Sequence, residues 1–174
     1  MATTWTKEFL AVDKARIVST IVVTASGTAA GVAPFHWLFY TILNPAPQDS
    51  GLNTRSVLFN MIPVNDNKGC LMVASEEQEA STAPLKVELR IPCTTECTAH
   101  QIFECLTRHG LDRYLFTENG TGCLFWVLKA VEQLGQAGYV DIGAIDKLRA
   151  FRDEEIQLHP ARHPDALREG TFYW

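Results

Sequence analysis

The chain has no long uninterrupted apolar run, no cluster of basic residues and no recognisable export leader, and each absence removes a class of function. The apolar-rich stretch from Ile17 to Leu43 is broken by Ser, Thr, Gly and Pro34, so it reads as two strands rather than a membrane span. Lys and Arg total 15 against 20 Asp and Glu, a net charge of -5, and are scattered. That distribution argues against a nucleic-acid partner or an anionic membrane surface. Residues 1–20 lack the charged start, apolar middle and small-residue cleavage site of a signal peptide. An odd count of 5 cysteines without a leader points to reduced thiols in the cytoplasm.

Cofactor signatures are missing as well. Gly120-Thr121-Gly122 is too short to be a phosphate loop, and none of the standard kinds occurs elsewhere. Cys93, Cys97, His100 and Cys105 follow no standard zinc spacing, and no second ligand cluster comes after them. His159 and His163 are four apart, but Pro160 and Pro164 break the helix that would align them. A site without metal or cofactor is expected.

What is present suits one soluble domain over residues 1–174, with a lead-in at 1–14 and a C-terminal tail at 158–174. Arg16–Thr24 is β-branched and dense, and Phe35–Leu43, Arg55–Ile62, Cys70–Ala74 and Leu85–Ile91 alternate or run apolar as strands do. Asn65-Asp66-Asn67-Lys68-Gly69 makes a hairpin turn. After Pro92 the period changes. Helices are expected over Thr98–His109, stopped by Gly110, from Cys123 to about Ala137, stopped by Gly138, and from Asp141 to about Gln157. Strands first and helices after give an α+β fold, a mainly antiparallel sheet of about five strands followed by about three helices.

The most informative stretch runs from Asn119 to Val127. Two glycines precede an apolar-periodic run in which Cys123, Val127, Ala130, Val131 and Leu134 share a helical face. Thr121 or Asn119 is placed to cap it. A thiol in the first turn of a helix lies in the positive end of the macrodipole, which favours thiolate; the same position also suits an inert core cysteine. His36 stands among Phe35, Trp37, Leu38 and Phe39, and Asn60 stands in a strand, where Asn is depleted. Both could be structural hydrogen-bonders. Together with Cys123 they are the ingredients of a thiol–histidine–amide site, with His36 moving the proton and Asn60 fixing its tautomer. The Cys123 amide would help to hold an oxyanion.

The segments Gly110-Leu111-Asp112-Arg113-Tyr114, Asn119 to Trp126, Phe35-His36-Trp37, Ser56 to Met61 and Gly170-Thr171-Phe172-Tyr173 resemble a family of small fungal proteins that carry a conserved domain of unknown function. That family commonly has a basic residue directly after the cysteine, where this chain has Leu124. The order of histidine first and helix-opening cysteine later is also similar to the circularly permuted papain-like proteins, which include thiol peptidases and acyltransferases. This likeness implies a permuted papain-like fold and a hydrolase or acyltransferase acting on an amide, ester or thioester.

Two other functions fit the same residues. A fungal secondary-metabolite cyclase, isomerase or dehydratase would use His36 as acid or base, with Trp37, Tyr40, Phe125 and Trp126 shaping an apolar cavity for a small-molecule substrate. A non-enzymatic binding module would leave all the polar residues structural.

Overall fold

The computed structural model describes residues 3–27, 34–46, 50–163 and 168–174. In chain order the elements are β1 (Thr4–Trp5), α1 (Ala11–Lys14), β2 (Val18–Gly27), β3 (His36–Leu43), β4 (Ser56–Pro63), β5 (Gly69–Glu76), β6 (Leu85–Pro92), α2 (Ala99–Arg108), β7 (Tyr114–Leu115), α3 (Cys123–Gln136), α4 (Ala144–Leu158) and β8 (Thr171–Phe172). The fold is α+β. Beyond the expected strands and helices, the lead-in supplies β1 and the short α1, rather than one helical turn around Lys7–Val12, and residues 114–115 and 171–172 form a separate two-stranded sheet. From residue 28, the loop expected over Ser26–Gly31 lies outside the described residues. No helix among the described residues is long and apolar enough to cross a membrane.

The main sheet has the order β1-β5-β4-β3-β2-β6. Its ladders are antiparallel except the short one between β1 and β5, so the sheet is mixed. One tight link explains the β4–β5 hairpin: Asp66 and Asn67 adopt left-handed φ of 55° and 59°, a conformation Asp and Asn tolerate better than other residues with side chains. The odd-numbered residues of β3 and β4, among them Trp37, Phe39, Phe59 and Met61, join the principal core with the helices. Leu38, Tyr40 and Leu58, of the other parity, form a smaller cluster with Val22 and Ala80 on the far face.

α3 docks on the middle of the sheet. Val127, Ala130, Val131 and Leu134 are buried and Cys123 partly so, as their helical spacing predicts, and Trp126 beside them is fully buried as well. The Trp126 ring stacks on Phe39 at 5.9 Å, and Phe39 stacks on Phe59 at 4.9 Å, so one aromatic column ties the helix to both central strands.

The central strands do not pair along their whole length. β3 and β4 are in register from Phe39 opposite Phe59 to Ile42 opposite Ser56. Beyond the Phe39–Phe59 pair β3 continues on β2 as far as His36 opposite Ser26, while β4 continues on β5 as far as Pro63 opposite Gly69. Residues 36–38 and 60–63 therefore part company, and a fork opens inside the sheet at the end that faces the start of α3.

Candidate functional site

The fork leaves backbone groups without strand partners, and the site is built on them. Leu43 N–H donates to Arg55 C=O across the β3–β4 boundary at 2.9 Å. Alternate amides along a strand point the same way, so the Trp37 N–H points into the fork. Cys123 Sγ accepts it at 3.4 Å. The cysteine thus replaces a strand as partner to β3.

His36 and Asn60 lie on opposite prongs. Their spacing along the two strands gives them the same parity, and the His36 Nε2 meets Asn60 Oδ1 at 2.7 Å. With Nε2 donating to the amide oxygen, the other ring nitrogen is the one left for the sulfur, and His36 and Cys123 lie close enough for each to shift the other's titration. Asn60 is buried, and His36 and Cys123 are partly so. The structure therefore brings together the cysteine, histidine and amide singled out from the sequence.

The electrostatics run in opposite directions at Cys123 and His36. Burial alone would raise the Cys123 thiol. The hydrogen bond and charge of His36, with the N–H groups of Trp37 and Leu124, outweigh it and hold the thiol below its ordinary 9.0. Burial would likewise lower His36, but the hydrogen bond and charge of Cys123 and then the bond to Asn60 carry it above 6.5. A depressed thiol facing an elevated imidazole is the signature of a thiolate–imidazolium pair.

The helix start is fixed from outside. Gly122 is the N-cap of α3, with φ 131° and no side-chain cap, so neither Thr121 nor Asn119 caps the helix. Thr121 instead bonds Thr117, Oγ1 to Oγ1, at 2.7 Å. The Tyr114 hydroxyl donates to Gly122 C=O at 2.8 Å and accepts the Gly170 N–H at 3.1 Å, joining α3, β7 and the approach to β8. An added Cβ at Gly122 would lie 2.5 Å from the Tyr114 oxygen, so this position needs glycine for space as well as for its φ.

Cys123 and His36 open onto a cavity of about 320 Å³, also lined by Pro34, Phe35, Trp37, Asn119 and Gly120, among others. Of the expected aromatic lining, Trp37 alone is there. Tyr40 belongs to the far-face cluster, Phe125 packs beside Phe172 at 6.1 Å, and Trp126 is fully buried with its Nε1–H on Leu111 C=O at 2.7 Å. The aromatic periodicity reports core packing here, not substrate contact. Missed from the sequence were Arg162, His163 and Arg168, which line the same cavity from the tail. A 3-10 turn at Pro160–Arg162 brings Arg162 and His163 in, and the Phe35 N–H donates to Arg162 C=O at 3.1 Å. The Pro160 and Pro164 punctuation indicated only an irregular tail, although a proline just inside a turn was a usable signal.

No curated protein and no solved structure matches the chain. Residues 19–173 match the family described as a domain of unknown function (DUF7770), which covers the sheet from β2, the fork, α3 and the tail, and the chain belongs to that family.

Proposed function

We propose that the protein is a thiol-dependent hydrolase or acyltransferase of permuted papain-like arrangement, acting on an amide, ester or thioester without a cofactor. The observation that carries this reading is the Cys123 sulfur held between the His36 imidazole and the Trp37 N–H, with His36 in turn held by Asn60. In chain order the histidine precedes the cysteine, as in the permuted group.

The thiolate attacks the acyl carbon, forming a C–S bond. As the carbonyl reforms, the bond to the leaving group breaks, and that group takes the proton from His36. The Cys123 N–H belongs to the first turn of α3, where amides have no partner within the helix, and it stabilises the developing oxyanion. Water or an acceptor nucleophile then gives its proton to His36 and attacks the thioester, which releases the acyl group and restores the thiolate. Asn60 accepts from Nε2 throughout, so the ring keeps its orientation while the proton moves on its other nitrogen.

Incubation with a p-nitrophenyl ester tests this. A stoichiometric burst of nitrophenol with acyl mass on Cys123, absent from Cys123→Ala, is expected. Turnover that survives Cys123→Ala but is lost in His36→Ala would instead favour a cofactor-free cyclase, isomerase or dehydratase, a reading that has lost most of its aromatic enclosure.

A further inference from the structure

We propose that the acyl donor carries a carboxylate, bound by Arg162 and Arg168 at the tail side of the cavity; this rests on the thiol reading above. The chain as a whole is acidic, with net charge -5, yet the cavity beside Cys123 is lined by Arg162 and Arg168 and, among the described residues, by no carboxylate; His163 adds little charge, because burial and then the charges of His159 and Arg162 hold it below the ordinary imidazole range. Charge of that sign in that place runs against the composition and would attract an anionic substrate into the mouth of the site.

The walls support the assignment. Arg162 lies 5.2 Å over the Phe35 ring, which holds the guanidinium at the cavity edge while its fork remains able to take a planar carboxylate. No ion pair engages Arg162 among the described residues. His163 packs against Phe35 at 5.5 Å, nearly perpendicular to it, and so backs the ring on which the Arg162 guanidinium rests. Pro34, Phe35 and Trp37 supply an apolar wall, so the donor combines an apolar body with a terminal negative charge.

Two alkylating reagents of nearly equal size test the charge. Iodoacetate and iodoacetamide each form a C–S bond with the thiolate and release iodide, and differ in the carboxylate. The ratio of their rates at Cys123, located by mass spectrometry, should exceed the same ratio for glutathione by about tenfold at low salt. Arg162→Gln with Arg168→Gln should bring it back toward the glutathione value. If the double variant does not fold, Arg168→Gln alone should lower the ratio partway toward the glutathione value, and iodoacetate labelling of the wild-type protein should slow severalfold with added NaCl while iodoacetamide labelling changes little. A wild-type ratio no greater than that of glutathione, a ratio unmoved in a folded double variant, or an iodoacetate rate indifferent to salt overturns the carboxylate donor. Failure of both reagents to label Cys123 in the folded protein overturns the thiol reading beneath it.

Discussion

His36 and Asn60 touch because each sits on its own prong of the fork, and their consequences are measurable one side chain at a time. Removing the imidazole in His36→Ala takes away the largest influence that lowers the Cys123 thiol, so the pH midpoint of alkylation should move up toward 9.0. Asn60→Ala leaves Nε2–H without its acceptor. The loss of one hydrogen bond to a charged group should reduce ester turnover by about 10- to 100-fold, with the midpoint moving up by less than in His36→Ala. The pH profile of turnover should be bell-shaped. Its acid limb follows the lowered Cys123 and falls below the ordinary thiol range, and its alkaline limb follows the raised His36 and lies above 6.5. These polar residues were legible in the sequence because each interrupts an apolar run that had no other use for it. Tyr40 and Trp126 lie away from the cavity for the opposite reason: strand parity and helical spacing send them to core faces, and aromatic character alone does not separate a wall from a core.

At the scale of elements, the position of the sulfur depends on where α3 begins. No side chain caps that start, and the Tyr114 hydroxyl anchors it by bridging Gly122 C=O and Gly170 N–H. Tyr114→Phe leaves both groups without that partner in the interior, and about 1–3 kcal/mol of stability should be lost. Urea unfolding should show a lower midpoint with unchanged slope. Gly122→Ala should cost more, because the new methyl meets the tyrosine oxygen and the backbone φ of 131° is unfavourable for it. The helix itself was legible from its apolar period and the glycine that stops it. Its cap was not, since the bridge comes from residues distant in the chain and no local pattern encodes it. By contrast the start of α2 is local: Thr98 and Gln101 form a reciprocal capping box, and the helix lies where the sequence puts it.

For the whole molecule, the sheet is the frame and the aromatic column its fastening to the helices. Trp126→Ala empties the space between α3 and Phe39 and leaves Leu111 C=O without its donor, so a loss of about 3–5 kcal/mol is expected by thermal or urea unfolding. The order of strands and helices was readable from periodicity. The fork was not: β3 and β4 read as ordinary neighbours, and only their three-dimensional divergence makes room for Cys123 between them. The tail's part in the cavity was equally hidden, because a short turn at Pro160–Arg162 leaves no apolar period to follow.

A Cys123 thiolate held by His36 is tested most directly by the rate of iodoacetamide labelling at each cysteine as a function of pH. Cys123 should label fastest in the folded protein, with a midpoint below 9.0, while buried Cys70 and Cys105, whose thiols burial raises, stay slow. Labelling of Cys123 only on unfolding, or with the midpoint of an ordinary thiol, would contradict the account.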